Sequence, residues 1–340
     1  MLHHGGRLNA VAKKYAIAAE HWIDLSTGIN PEHWPIPALP DHCFTRLPEN
    51  DDGLMQAAHQ YYKTDACLAV AGSQAAIQML PRCRQQSSVA VPDIGYAEHA
   101  YQWRLAGHDV VFYRGDNIDA VIHQVDVLVI INPNNPSAVT YDRQKLLHYH
   151  QILQQRQGWL IVDEAFSDCD EKNSLVRQAH KPGLIVLRSF GKFFGLAGVR
   201  SGFIFAEKLL LDRLNLLLGP WTLSGASRYI TKKALLDSQW QQQAKNNLQA
   251  SSEKLHRLIQ HHSGRQPAGT WLFKTVMHPQ AETIFTLFAE QAVFIRLLDN
   301  KQGVRFGLPR PDQWPTVDAI FGQVFQQLAL ILVDDKQKQA

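Results

Sequence analysis

A single lysine lies in a segment of small and apolar residues directly after a predicted buried strand. Residues 188–202 read RSFGKFFGLAGVRSG, and Lys192 is the only lysine among them. Desolvation lowers the pKa of a lysine and leaves a neutral amine that can attack a carbonyl carbon, which is what Schiff-base chemistry requires. The hydroxyl of Ser189 and the guanidinium of Arg200 are suited to a phosphate group. Taken alone, the segment also fits a glycine-rich surface loop with a solvated lysine and a paired arginine.

Further polar motifs come directly after other predicted strands. Residues 132–137 read NPNNPS and residues 162–166 read VDEAF. Residues 72–74 read GSQ and open an apolar helical run, so their backbone N–H groups and the helix dipole could hold a phosphate, although an ordinary serine N-cap has the same pattern. Ligands of open α/β sheets bind at the carboxyl ends of the strands. We therefore expect these motifs and Lys192 to converge on one crevice.

Residues 132–137, 162–166 and 188–202 resemble three motifs of the class I and II aminotransferase-type enzymes, which depend on pyridoxal phosphate, and they occur in that family's order. Asn135 and Asp163 are 28 residues apart and Asp163 and Lys192 are 29 apart, each enough for a crossover and the next strand. The resemblance implies that Lys192 forms the Schiff base, that Asp163 pairs with the pyridine nitrogen and that Asn135 donates to the phenolic oxygen. It also implies cofactor contacts from Gly72, Ser73, Gln74, Tyr96, Ser189 and Arg200, with Tyr96 stacked on the pyridine ring.

Taken singly, these residues also have ordinary structural explanations, and two positions depart from the common pattern. Asp163 could be a helix N-cap, Asn135 a turn residue beside proline, and Tyr96 a packing residue. Phe166 stands where many aminotransferases have tyrosine, so one hydrogen bond to the phenolic oxygen is missing. Residues 46–48 read RLP where related enzymes have a Tyr-Pro that reaches across a dimer, which puts that cross-subunit contact in doubt.

The N-terminal segment resembles a narrower family, the threonine-phosphate decarboxylases of cobalamin biosynthesis. Residues 4–6 read HGG and residues 24–31 read DLSTGINP. The resemblance implies an arm over the active site, in which His4, Gly5 and Gly6 approach the substrate phosphate; a disordered terminus is the alternative for His4. The remaining candidate substrate residues are Gly28 and Asn30 in the pocket, Arg305 on the α-carboxylate, and Arg310 as a second candidate for that carboxylate.

The reaction implied is decarboxylation of L-threonine O-3-phosphate to (R)-1-amino-2-propanol O-2-phosphate. A histidinol-phosphate-type aminotransferase is the alternative, because aminotransferases use the same cofactor residues but break the Cα–H bond. A cofactor-sensing regulator fits less well, since no DNA-binding module or basic patch is present. A nicotinamide-dependent oxidoreductase also fits poorly, because no G-x-G-x-x-G follows the first strand.

The elements that must position these residues alternate between short β-branched runs and helical patterns, which predicts an α/β fold of aminotransferase-like fold type I. We predict buried parallel strands over residues 67–71, 88–91, 109–113, 127–131, 160–162, 184–187 and 203–205. Helical patterns and short strands then indicate a smaller α+β region. The predicted domains are an arm over 1–40, a large cofactor-binding domain over 41–215 and a small domain over 216–340.

Composition narrows the class of partner. The chain has 340 residues, 45% of them hydrophobic, which is enough for a large core. A formal charge of +3, with 34 basic and 31 acidic residues, indicates no nucleic-acid or membrane partner. Four scattered cysteines indicate neither a disulfide framework nor a metal site. Without a signal pattern or a long apolar run, we expect a cytoplasmic protein with a small-molecule substrate, and the family resemblance implies a homodimer.

Overall fold

The computed structural model describes residues 6–115 and 117–339, with side chains of the last helix described as far as residue 333. It divides into two compact units: a larger unit, His33–Gln243, and a smaller unit made of the described residues of Met1–Glu32 and Ala244–Ala340. The domain boundaries predicted at residues 40 and 215 differ from these limits. Residues 216–243 group with the larger unit because their helix packs against helices near residues 42–62.

The helices and strands alternate along most of the chain. The helices are α1 (Leu8–Tyr15), α2 (His42–Thr45), α3 (Leu54–Tyr62), α4 (Ser73–Met79), α5 (Glu98–Leu105), α6 (Ile118–Val121), α7 (Arg143–Gln154), α8 (Phe190–Phe193), α9 (Lys208–Leu218), α10 (Gly225–Leu236), α11 (Ser238–Ser263), α12 (Ala281–Glu290) and α13 (Trp314–Gln339). The strands are β1 (Ile23–Asp24), β2 (Cys67–Val70), β3 (Ser88–Pro92), β4 (Asp109–Tyr113), β5 (Val127–Ile131), β6 (Trp159–Asp163), β7 (Leu184–Ser189), β8 (Gly202–Phe205), β9 (Ala268–Gly269), β10 (Phe273–Met277), β11 (Val293–Phe294), β12 (Arg296–Leu297) and β13 (Gly303–Gly307).

The larger unit contains a seven-stranded sheet in the order β2-β8-β7-β6-β5-β3-β4. Its central strands are apolar except at their carboxyl ends, as expected when helices cover both faces, and all five residues of β5 are apolar and buried. The predicted α/β fold with a mostly parallel sheet is therefore confirmed.

Two details of the strand prediction are wrong. The strand predicted at 203–205 is antiparallel to both of its neighbours. Residues 190–201, which precede it, hold only short helical turns, whereas a parallel connection needs a longer crossover, usually a full helix. The strand at 109–113 was predicted to be buried but lies at the sheet edge, with Val111 and Phe112 exposed, because only one strand pairs with it.

The register of the sheet places the polar motifs at one edge. Ile131 pairs with Asp163, and Asp163 pairs with Leu187, so the loops after β5, β6 and β7 leave the sheet side by side. On the other side of β7, Gly202 pairs with both Ser189 and Val70. The segments that follow β2 and β7 therefore meet at the beginning of β8.

The smaller unit combines a four-stranded antiparallel sheet, β12-β13-β10-β9, with a separate parallel pair, β1-β11. Residues 293–297 thus form two short strands in different sheets, β11 and β12, divided at Ile295. The stretch Pro311–Val333 has a mean hydropathy of 1.5 and, by length and composition alone, could cross a membrane. One face of its helix packs in the core of this unit, where Phe321 contacts Phe288 and Phe306.

Candidate active site

Asp163, the last residue of β6, is 3% exposed and is held by two donors. Its Oδ2 atom lies 2.9 Å from Nε2 of His99 on α5, and its Oδ1 atom accepts a hydrogen bond from the backbone N–H of Ala165 at 3.0 Å. Each carboxylate oxygen keeps capacity for a further donor. The arrangement suits a carboxylate that must face a protonated ring nitrogen.

His99 was missed by sequence reasoning. It lies three residues after Tyr96, and the two rings meet edge to face with their centroids 6.2 Å apart. The only sequence signal was this one-turn spacing from a predicted site residue, because the partner carboxylate of His99 is 64 residues away along the chain.

Lys192 lies on the short helix α8, which follows β7 directly. Its Nζ atom is 5.8 Å from the ring centroid of Phe166, three residues beyond Asp163. The fully buried side chains of Phe190 and Phe193 anchor the helix. A Cβ atom on Gly191 would lie 2.6 Å from Cα of Ala197, so only glycine permits this close turn. The structure thus brings the lysine to the loop that follows Asp163.

A small cradle forms where β2, β7 and β8 meet. Gly72 has a φ of +73°, and a Cβ atom there would lie 2.8 Å from Nη2 of Arg200. A Cβ atom on Gly202 would lie 2.6 Å from the backbone nitrogen of Ser73. Glycine at both positions lets the guanidinium and the start of α4 approach each other closely. Ser189 pairs with Gly202 on the neighbouring strand. The cradle therefore offers a cation, a hydroxyl and backbone N–H groups, which together suit a phosphate.

Tyr96 and Gln74 are joined side chain to side chain. The hydroxyl of Tyr96 donates to Oε1 of Gln74 at 3.0 Å, and Nε2 of Gln74 donates to Oε2 of Glu98 at 2.8 Å. This bond fixes the Tyr96 ring in place beside His99. A ring that stacks on a cofactor must be fixed in this way. Because the side chain of Gln74 is used in this way, its backbone N–H is the group we expect to serve a phosphate.

The loop that presents Asn135 is shaped by two neighbouring asparagines. Oδ1 of Asn132 accepts from the backbone N–H of Tyr141 at 2.8 Å, and Nδ2 of Asn134 donates to the carbonyl of Ile94 at 3.0 Å. The Asn132-Pro133 and Asn135-Pro136 peptide bonds are cis. Asn132 and Asn134 therefore fold the loop, and Asn135, the next residue, is half-buried.

Two candidate substrate residues of the smaller unit, Gly6 and Arg305, contact Ser26. The guanidinium of Arg305, on β13, donates through Nη2 to the carbonyl oxygen of Ser26 and lies 5.2 Å from the ring centroid of Phe273. Burial and the nearby Arg296 lower the pKa of Arg305 to about 9, while Asp24 acts in the opposite direction. A buried guanidinium can form charge-assisted hydrogen bonds with a carboxylate.

The other predicted substrate residues lie close to Ser26 in the chain, outside the described residues, or on the exposed surface. Gly28 and Asn30 are buried just beyond it, and Oδ1 of Asn30 accepts from the backbone N–H of Glu32 at 2.9 Å. The backbone N–H of Gly6 donates to Oγ of Ser26 at 3.1 Å. His4 and Gly5 lie outside the described residues. Arg310 is exposed, and its Nε atom lies 3.3 Å from Oδ1 of Asp312, so its charge is already paired.

Within the part of the chain that the structure describes, no group of three or more histidine, cysteine, aspartate or glutamate residues is placed to hold a metal ion. The four cysteines are buried, and no disulfide joins any two of them. Burial raises the pKa of the Cys67 thiol to about 12, which makes it a poor nucleophile.

Comparison with known proteins identifies the family. The profile of the family described as aminotransferase class I and II matches residues 44–302. The chain belongs to the class I and II aminotransferase family.

Two similar family members carry the same name. A threonine-phosphate decarboxylase from Pseudomonas aeruginosa is 44% identical over 94% of this chain and 97% of its own length. One from Sinorhizobium sp is 36% identical over 87% of this chain and 90% of its own. Among solved structures, the histidinol-phosphate aminotransferase of Sinorhizobium meliloti, in complex with pyridoxal-5'-phosphate, superposes with a TM-score of 0.81 at 18% identity and covers 96% of both chains. At that identity the likeness shows the fold alone.

Proposed function

We propose that this chain is a pyridoxal-phosphate-dependent decarboxylase that converts L-threonine O-3-phosphate to (R)-1-amino-2-propanol O-2-phosphate. The observation that carries the proposal is the 44% identity, over nearly the whole chain, to a threonine-phosphate decarboxylase. The geometry supports it: a buried carboxylate, a lysine and a cradle with a cation lie at the same sheet edge, which is what this cofactor requires.

When bound, pyridoxal phosphate supplies an electron sink for the charge that develops at Cα of an amino acid. Lys192 would hold the cofactor and, once the substrate amine takes its place, would carry a proton to Cα. Asp163, fixed by His99 and Ala165, would keep a proton on the ring nitrogen. Arg200, Ser189 and the start of α4 would hold the cofactor phosphate.

Arg305 would orient the substrate. A planar guanidinium can grip the α-carboxylate through two parallel hydrogen bonds and so direct the Cα–carboxylate bond perpendicular to the cofactor ring. The substrate phosphate is attached through oxygen to Cβ and takes no part in breaking that bond, and we assign its binding to His4, Gly5 and Gly6. Such remote contacts supply binding energy that is used to hold the reacting bond in its productive orientation.

A histidinol-phosphate-type aminotransferase is the second candidate. The fold is the same as that of the Sinorhizobium meliloti enzyme, and the same cofactor residues would serve transamination, so neither of them separates the two reactions. The two reactions differ in which bond to Cα stands perpendicular to the ring. The residues that orient the substrate therefore decide between them, and not those that hold the cofactor.

Product analysis separates the two candidates. The purified protein should release carbon dioxide from threonine phosphate and form an amine without any 2-oxo acid. Unphosphorylated threonine is the matched control and should be a far poorer substrate. If histidinol phosphate converts the enzyme to its pyridoxamine form while threonine phosphate yields no carbon dioxide, the chain is an aminotransferase.

We further propose a cytoplasmic homodimer that acts in cobalamin biosynthesis. Phe44, Leu47 and Trp221 are 68%, 63% and 58% exposed, and they come from segments around α2 and α10 that pack against each other. Exposed apolar side chains on neighbouring segments suit an interface between subunits. Light scattering on the wild-type chain and on Phe44→Glu tests it: a dimer should become a monomer.

A further inference from the structure

A cluster of buried charges lies directly beside the candidate active site. Glu164, Asp168 and Arg188 are each no more than 1% exposed. Nε of Arg188 lies 3.1 Å from Oε2 of Glu164, and Nη1 lies 3.1 Å from Oδ1 of Asp168. We name these three residues the buried ion cluster. Asp163 and Ser189, both candidate cofactor residues, are the chain neighbours of Glu164 and Arg188.

The cluster is closely supported by polar neighbours. Ser174 donates through Oγ to Oε2 of Glu164 at 2.7 Å and accepts from Nη2 of Arg188 at 2.9 Å. The backbone N–H of Leu175 donates to Oε1 of Glu164 at 2.7 Å, and the hydroxyl of Tyr61 donates to Oδ1 of Asp168 at 3.2 Å. Burial raises the pKa of Glu164, against the lowering effect of Arg188.

Stability is a poor explanation for such a cluster. Removing charges from water is costly, and replacing a buried ion pair by apolar residues of similar volume is often neutral or stabilising. Breaking it by removing one partner is destabilising, because a buried charge is then left uncompensated. What an ion pair adds, compared with apolar packing, is a fixed distance and angle between the groups it joins.

The cluster joins two strands that carry site residues on their opposite face. Asp163 pairs with Leu187, and successive side chains of a strand alternate between faces. Asp163 and Ser189 therefore share one face, while Glu164 and Arg188 share the other. The backbone N–H of Glu164 also donates to the carbonyl of Leu187 at 2.9 Å, which extends the pairing of β6 and β7 beyond Asp163.

A third site segment is attached to the same region. Ser167, which lies between Glu164 and Asp168, donates through Oγ to the carbonyl oxygen of Asn132 at 3.0 Å. The backbone N–H of Ser167 donates to the carbonyl of Glu164, also at 3.0 Å. The loop that presents Asn135 is thus bonded to the segment that holds the cluster.

We propose that the buried ion cluster is a positioning device for the cofactor: it fixes the ends of β6 and β7 so that Asp163, Ser189 and Lys192 keep their relative places. Glu164, Asp168 and Arg188 are positioning residues, since they act through their neighbours. The inference rests on the proposed cofactor. It predicts that disturbing the cluster changes how pyridoxal phosphate is held, even in protein that remains folded.

Two variants test this, with a matched control. Glu164→Gln removes one charge of the cluster, and Ser174→Ala removes the bridging hydroxyl but leaves every charge in place. Asp52→Asn is the control, because Asp52 pairs with Arg228 at 2.6 Å in the same unit and neither is adjacent in the chain to a candidate site residue. For each protein we would measure the dissociation constant of pyridoxal phosphate and, at saturation, the visible circular dichroism per bound cofactor, which reports its orientation.

Glu164→Gln and Ser174→Ala should weaken cofactor binding about tenfold and change the dichroism at saturation, as loss of a supporting hydrogen bond to a site typically does. Asp52→Asn should leave both unchanged, even if its melting temperature falls. If Glu164→Gln does not fold, Ser174→Ala decides alone. Values for Ser174→Ala equal to those of the control would overturn the inference and leave the proposed function intact. A wild-type chain that binds no pyridoxal phosphate would overturn both.

Discussion

Nε2 of His99 lies 2.9 Å from Oδ2 of Asp163, and both side chains are almost completely buried. The histidine belongs to α5 and the carboxylate ends β6, so the contact joins a helix to the edge of the sheet where the candidate site lies. The histidine fixes the carboxylate without using all of its hydrogen-bonding capacity. Each carboxylate oxygen of Asp163 has one hydrogen-bond partner, His99 for Oδ2 and the backbone N–H of Ala165 for Oδ1. The carboxylate is therefore held in a fixed orientation in which it can accept a third hydrogen bond.

We expect Asp163→Asn to lower the rate of carbon dioxide release by about a thousandfold or more, because the amide cannot sustain a protonated ring nitrogen. Far-ultraviolet circular dichroism should be unchanged, and pyridoxal phosphate should still bind through the phosphate cradle. A near-normal rate would remove Asp163 from this role.

His99→Asn should lower the same rate by a smaller factor, about tenfold, because it weakens the support of Asp163 but keeps its charge. The measurement is steady-state kinetics with saturating cofactor. A loss as large as that of Asp163→Asn would show that His99 does more than orient the carboxylate.

Lys192→Ala should abolish turnover and the covalent link to the cofactor. Borohydride reduction of the wild-type protein, followed by peptide mapping, should place the modified lysine at residue 192. Lys181 and Lys208 are the nearest lysines along the chain and serve as internal controls. Labelling at either would contradict the assignment.

Arg305→Lys should raise the KM for threonine phosphate about tenfold or more, because an ammonium group cannot make two parallel hydrogen bonds to a carboxylate. The dissociation constant of pyridoxal phosphate should stay the same. Arg310→Lys is the matched control and should change little, since Arg310 is exposed and paired with Asp312. If Arg310→Lys raises the KM and Arg305→Lys does not, Arg310 binds the substrate carboxylate instead.

Lys274 should make stability depend on pH in a defined direction. Burial lowers its pKa from 10.5 to about 8, so between these values the unfolded chain binds more protons than the folded chain. Stability contributed by this group therefore rises with pH across that window. Between pH 7 and pH 10, the melting temperature of the wild type should rise relative to that of Lys274→Met. An unchanged difference would contradict the shift.

The fold class and the grouping of the candidate cofactor residues could be predicted from the sequence because both depend on local patterns. Each buried strand is a short β-branched run, and residues 132–137, 162–166 and 188–202 carry their chemistry within a few positions. In an open α/β sheet, the strand ends converge whatever the details of packing, so the grouping of Asp163 with Ser189 and Lys192 followed from strand order.

The orientation of β8 and the role of His99 were decided only by the tertiary structure. A run such as residues 203–205 has the same composition in a parallel or an antiparallel strand, and only the connection before it fixes its direction. A histidine on a helix takes its function from the group it faces, and Asp163 is 64 residues away. Such a contact depends on how helix and sheet pack, for which a single sequence carries no local pattern.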